Sequence, residues 1–307
     1  MGDDGTKANL QRVLAALTAD ETAAPAAPAA AEETREEAAP HESPIELWYQ
    51  PKIDIKQRCL AGAEALLRVR EPATGELLPA GVVPPMDDVD IARLTELALL
   101  ATLHDWTVFD DAGFNLRLSI NISVNLLDRL PIADLVAAHR PKAEHWPGLI
   151  VEVAEDQIVR DIRRSVAIAA KLRGSGITVA IDDFGAGYSS FTSLRELSFA
   201  ELKLNSSFVK GCAGDPTNAA ICQTAVDLAH RFGSAAVAEG ISTVADLQAM
   251  QIMGCDFGQG HLIAPPMPMQ DFMALLQQRM NKPKPKAPEP PAEPAASEEP
   301  AKTAASA

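Results

Sequence analysis

The residues best suited to chemistry are carboxylates placed at the ends of apolar stretches. Val179-Ala180-Ile181 runs into Asp182 and Asp183, and Phe184-Gly185-Ala186-Gly187 follows. Adjacent carboxylates repel, and one divalent cation relieves both by accepting oxygen from each. The pair could equally cap the helix that Tyr188-Ser189-Ser190 would begin, a common use of aspartate at a strand-to-helix turn. Similar placements recur along the chain. Glu64 lies in Ala63-Glu64-Ala65-Leu66-Leu67-Arg68, and Asn121 in Leu118-Ser119-Ile120-Asn121-Ile122-Ser123. Glu152 and Glu155 sit in Ile150-Val151-Glu152-Val153-Ala154-Glu155, and Lys203 and Asn205 in Leu202-Lys203-Leu204-Asn205. Glu239 ends Val237-Ala238-Glu239-Gly240, and Gln259 stands between Gly258 and Gly260.

Each residue alone has a plain structural use. Glu64 could pair with Arg68 or Lys203, since a charge in an apolar stretch needs a partner. Asn121 could satisfy loop backbone, Gln259 could serve a turn, and Glu239 could be a solvated strand end. Together they are a constellation, because four apolar strands each carry or end in an acid. Hard oxygen donors with one amide suit Mg²⁺ or Mn²⁺, and the six histidines have no zinc-like spacing. A lysine among such acids would orient a water or stabilise developing negative charge. The chemistry this set supports is metal-assisted hydrolysis, most naturally of a phosphate ester.

Such a set must be gathered by its scaffold. Strands are expected at residues 46–55, 60–69, 116–123, 149–153, 177–181, 201–204, 235–238 and 255–257. The first two are separated only by a Lys56-Gln57-Arg58 turn, so they must be antiparallel, because a parallel crossover needs a dozen or more residues. Every later gap can hold a helix. Residues 161–173 place Ile162, Val166, Ala169 and Leu172 on one face, with Arg160, Arg163 and Arg164 largely outside, and stop at Gly174 and Gly176. Asp215-Pro216 reads as an N-cap and first helical residue, with Ile221, Ala225, Leu228 and Phe232 as the stripe that follows. Met250 and Met253 read as core filler. The α/β pattern fits a modified TIM (βα)8 barrel with an antiparallel first strand, and an open doubly wound sheet is the alternative. In a barrel the chemistry gathers at the carboxyl ends of the strands.

The chain has 307 residues, 47% hydrophobic, with a formal net charge of −15. That charge argues against a DNA or RNA polymer or an anionic membrane as partner. The four cysteines, Cys59, Cys212, Cys222 and Cys255, form no CxxC pair and read as reduced thiols of a cytoplasmic protein. No apolar run reaches a membrane span, and the polar, acidic N-terminus does not read as a signal peptide. Residues 1–44 are expected to be a disordered region with one short amphipathic helix (Leu10, Val13, Leu14, Leu17). Residues 281–307 are expected to be a disordered Pro/Ala/Glu-rich tail, with the barrel spanning 45–280.

The ordered set of motifs resembles the EAL-domain family, the bacterial phosphodiesterases of cyclic di-GMP. The matching stretches are Tyr49-Gln50-Pro51, Glu64 to Arg68, Asn121-Ile122-Ser123, Glu152 to Glu155, Asp182 to Ser190, Lys203, Ala238-Glu239-Gly240 and Gln259-Gly260. The resemblance implies a barrel with an antiparallel first strand and two ions, Mg²⁺ or Mn²⁺. It implies that Glu64, Asn121, Glu152 and Asp182 hold the first metal, and that Asp182 bridges to a second held with Asp183 and Glu239. Lys203 would contact the attacking water, so that Lys203, Glu64 and Glu239 stand at the reaction centre. Gln50, Arg68 and Gln259 would bind the dinucleotide, and Glu155 would fix the Asp182-Asp183-Phe184-Gly185 loop. The implied reaction opens cyclic di-GMP to linear pGpG.

The sequence also departs from the family pattern. Asn205 and Ser206 stand where aspartate and arginine are usual, and Ser242 stands where a second glutamate is usual. Ala154 and Ala186 replace threonines, and residues 80–87 follow their segment only loosely. These losses cluster near the second metal, so weak metal affinity or a low rate is one expectation. The rival reading is a non-catalytic cyclic di-GMP receptor or scaffold. The resemblance also implies a homodimer through the surface near the Asp182-Asp183-Phe184-Gly185 loop, and the tails could take a protein partner.

Overall fold

A computed structural model describes residues 45–71, 74–80, 87–186 and 194–280. The tails, the helix expected at Leu10 and the helix start expected at Ser189-Ser190 lie outside the described residues.

The first strand, β1 (Ile45–Asp54), turns directly into β2 (Cys59–Arg70). Asp54 builds the turn: its carbonyl accepts from Arg58 N at 2.8 Å and its carboxylate from Gln57 N at 2.7 Å. The two strands are antiparallel, as the short connection requires, and their register sets Gln50 opposite Glu64. From β2 the sheet continues in parallel through β4 (Arg117–Asn121), β5 (Leu149–Ala154), β6 (Ile177–Phe184), β7 (Glu201–Leu204), β8 (Ala235–Ala238) and β9 (Phe257–Gly258). Antiparallel pairing of β9 with β1 closes it. The result is an eight-stranded barrel, and the open-sheet alternative is excluded by that closure.

Two short strands escape the sequence pattern. β3 (Leu77–Pro79) pairs with the end of β2, and β10 (Met267–Pro268) with Trp48 and Tyr49 of β1. Two or three residues ending in proline carry no readable alternation.

The helices are α1 (Asp88–Asp111), α2 (Val124–Arg129), α3 (Ile132–His139), α4 (Glu155–Arg160), α5 (Ile162–Arg173), α6 (Ser206–Val209), α7 (Pro216–Arg231), α8 (Val244–Ile252) and α9 (Met269–Met280). Asp215 caps α7 as expected, accepting from Thr217 N and Asn218 N, and Asp161 caps α5. The stripe of α7 is rotated from the expected one. Cys222, Ala225, Val226 and Ala229 are buried, whereas Ile221 is 37% exposed. Small residues let the helix lie close to the sheet, so here volume rather than hydropathy chose the face.

Tyr49 explains how β1 is held. It is fully buried, its ring meets Phe109 of α1 edge-on at 5.1 Å and Phe272 of α9 at 5.7 Å, and its hydroxyl donates to Asp105 at 2.6 Å. Strand alternation then turns the next residue, Gln50, into the barrel mouth.

Candidate active site

The acids singled out in the sequence, Asp183 and Glu155 excepted, converge on one side chain. The Lys203 ammonium, 1% exposed, lies 3.4 Å from Glu64, 3.2 Å from Asp182 and 2.8 Å from Glu239, and makes its closest contact with Glu152. Topology brings them together. Glu64, Glu152 and Lys203 point inward from β2, β5 and β7, and Glu239 follows β8 at the same rim. Glu64 pairs with Lys203 and not with Arg68.

Amides complete the shell. Asn121 donates to Glu64 Oε1 at 2.7 Å, and Gln259 donates to Glu64 Oε2 at 2.6 Å and to Gln50 Oε1 at 2.9 Å. Gln50 donates in turn to the Ala264 carbonyl at 3.1 Å. Arg68 stands apart at the rim, its guanidinium 4.9 Å from the Trp48 ring centroid.

The paired aspartates depend on a break in strand regularity. Consecutive side chains of a strand point to opposite faces, so a regular β6 would send one of the two carboxylates away. The β6–β7 register instead shifts between Ile181 and Phe184, and Asp183 adopts a φ of 55°. This bulge re-aims the side chains, and carboxylate oxygens of Asp182, Asp183 and Glu239 come within 4.8 Å of one another. The backbone just beyond is pinned by buried Glu155, which accepts from Gly185 N at 2.9 Å. Gly185 has φ 95°, and an added Cβ would lie 3.0 Å from the Phe208 ring. Asn205 donates to Asp183 Oδ1 at 2.8 Å and caps α6 by accepting from Ser207 N at 2.8 Å. An aspartate in that place would face Asp183 as a like charge.

The electrostatics are those of a site with too little positive charge. Burial works to lower the pKa of Lys203, but Glu152, Glu64, Glu239 and Asp182 hold the ammonium well above its ordinary value. At Glu64, burial is outweighed by Lys203 and by the hydrogen bonds from Gln259 and Asn121, so its carboxyl lies low. Burial dominates at the others. It pushes Glu152 well up, with repulsion from Glu64 adding, and it raises Asp182. Glu239 is pushed up to about 7 by burial and by Asp182 and Glu64, against the pull of Lys203. One ammonium cannot neutralise four carboxylates, and protons fill the gap where no cation does. The donors are hard oxygens at hydrogen-bonding separations, with an open cavity of about 310 Å³ lined by Gln50, Glu64, Glu239 and Gln259 beside them. They fit a hard divalent cation.

Sequence reasoning missed two features of this region. Lys210, which follows α6 and belongs to no recognisable motif, also lines the cavity. Beneath the mouth, Lys52 on β1 and Glu201 on β7 form a buried ion pair at 2.6 Å. Each lies two residues from an assigned one (Gln50, Lys203), so strand alternation could have found the pair.

The barrel has known relatives. The family model described as "EAL domain" matches residues 33–266. The cyclic di-GMP phosphodiesterase PA2567 of Pseudomonas aeruginosa is 35% identical over 228 residues, covering 74% of this chain and 39% of that protein. The bifunctional diguanylate cyclase/cyclic di-GMP phosphodiesterase MucR of the same organism is 34% identical over 245 residues, covering 75% and 34%. The chain thus spans well under half the length of these relatives. The solved structure described as PaMucR phosphodiesterase in its c-di-GMP complex superposes with a TM-score of 0.66 at 31% identity, covering 75% of this chain and 94% of that one.

Proposed function

This chain belongs to the EAL-domain family, and from that premise we propose that it is a metal-dependent phosphodiesterase hydrolysing cyclic di-GMP to linear pGpG. The observation that carries the reading is the charge imbalance around Lys203, with four carboxylates on one ammonium. In this reading Glu64, Asn121, Glu152 and Asp182 would hold one Mg²⁺ or Mn²⁺, and Asp182, Asp183 and Glu239 a second. When bound, such a pair supplies a nucleophilic water at neutral pH and offsets charge on the attacking and leaving oxygens.

The chain's own groups do the rest. Lys203, kept charged by its neighbours, aims N–H donors at the position of the attacking water and of the phosphoryl oxygens. Gln259 fixes Gln50 and Glu64 relative to one another, so the amide edge and the metal-holding carboxylate keep one spacing. Arg68, stacked on Trp48, presents a planar guanidinium at the rim for the dinucleotide. Glu155 keeps the Asp182-Asp183 turn in place through Gly185. Attack by water at one phosphorus breaks its bond to the 3′ oxygen, leaving a 5′ phosphate and a 3′ hydroxyl in one linear molecule.

The working unit is the barrel, residues 45–280, acting in the cytoplasm. None of its described helices is long and apolar enough to cross a membrane. It would act as a homodimer through the surface near the Asp182-Asp183-Phe184-Gly185 loop, and a concentration-independent monomer in light scattering would contradict that arrangement.

The test is incubation of purified protein with cyclic di-GMP and Mg²⁺ or Mn²⁺, products separated by chromatography, with Glu64→Ala as the blank. Linear pGpG from the wild type alone supports the enzyme. Tight binding without product favours the receptor reading, which the departures at Asn205 and Ser242 also serve.

A further inference from the structure

Ser206 and Ser242 lie far apart in sequence, yet both line the same 310 Å³ cavity. Lys210 lines it as well, and it is the one lysine or arginine among the cavity's lining residues. Gly240 brings this group together. Its φ is 67°, and a Cβ there would lie 2.5 Å from Ser206 Cβ and 3.2 Å from Lys210 Cε. The absence of a side chain at Gly240 therefore lets the serine and the lysine stem close over the residue next to Glu239.

Residues 206 and 242 give the cavity wall two hydroxyls and no charge. Lys210 has no carboxylate at residue 242 to pair with, and it forms no ion pair among the described residues. An ammonium without an ion pair that lines one cavity with two hydroxyls is a donor set for a phosphate oxygen, since lysine acts on phosphate as a point charge and serine donates O–H.

We propose that Lys210, with Ser206 and Ser242, forms an anion subsite that holds a phosphodiester of the dinucleotide, the one not undergoing attack. The subsite rests on the reading of the cavity as a cyclic di-GMP site. It makes Lys210 a specificity-determining residue, selecting a ligand with two phosphates over one with a single phosphate.

The experiment compares wild type with Lys210→Met, Lys210→Arg and Ser242→Glu. Calorimetry reads cyclic di-GMP binding to chelator-treated protein at low and high salt, and steady-state kinetics read KM and kcat with Mn²⁺. Lys210→Met is expected to weaken binding and raise KM about five- to tenfold, with kcat within about twofold, because a single exposed charge contact is lost. Lys210→Arg should stay within about twofold of wild type. Ser242→Glu should reproduce the weakening by engaging Lys210, and both losses should shrink at high salt. Wild-type binding that Lys210→Met leaves unchanged overturns the subsite and leaves the phosphodiesterase standing. A wild type that neither binds nor cleaves cyclic di-GMP removes that function, and the subsite with it. Lys210 is exposed, so loss of folding is not expected, and matching melting curves check it.

Discussion

Two layers of buried charge fill this barrel, and they are built on opposite principles. In the deeper layer Lys52 meets Glu201 with both carboxylate oxygens, at 2.7 and 2.6 Å, one positive charge against one negative. In the layer at the mouth, one positive charge meets four negative ones. The strands are the same: Glu201 and Lys203 are neighbours on β7, one layer apart. The balanced pair is complete as it stands and ties β1 to β7. The unbalanced cluster is complete only with protons or added cations. In the proposed reading that difference separates a charge kept for structure from charges kept for a ligand, although both lysines are buried.

The comparison can be broken from below. Lys52→Met leaves Glu201 buried without a partner, a loss of about 3–5 kcal/mol. The melting temperature should fall by the same amount with and without Mn²⁺, and activity per folded molecule should stay near wild type. A Mn²⁺-dependent loss would show that the layers are not separate.

From above, Lys203→Ala should lower kcat/KM by about 10²–10³-fold, the size expected for losing one aimed donor in a water-poor site. Its stability loss should be partly reversed by Mn²⁺, unlike that of Lys52→Met. Equal behaviour of the two variants in a melting titration would contradict the division.

A third expectation concerns pH. Glu239, pushed up to about 7, is protonated below that pH in the cation-free protein. A cation must displace that proton, so apparent Mn²⁺ affinity should rise with pH, by up to about tenfold per unit below 7, and flatten above it. Titrations between about pH 5.5 and 8 measure this. A flat profile would show that Glu239 is already ionised.

The smallest expected effect is at Asn205. Asn205→Asp restores a carboxylate beside Asp183 and should lower the half-saturating Mn²⁺ concentration a few-fold. An unchanged titration would show that the amide, held to Asp183 at 2.8 Å, already positions that carboxylate as the cation needs it.

Much of this was legible in the chain. The short turn after Asp54 dictates an antiparallel first strand, and acids at strand ends dictate a charged mouth. The convergence on Lys203 was legible only in outline, because Glu64 could equally have met Arg68. The bulge at Asp182-Asp183 was not legible, since a left-handed aspartate leaves no mark in the residue pattern. Nor was the α7 face, where alanine and cysteine, not Ile221, pack inward. Lys210 was silent because its place depends on the absent side chain of Gly240, a contact between segments far apart in the chain.

The most direct measurement is calorimetric titration of Mn²⁺ into chelator-stripped protein, beside Asp182→Asn. Two ions per chain with proton release, lost in the variant, are expected if the surplus carboxylates exist to hold cations. Identical heats for both proteins, with no saturable binding, would contradict it.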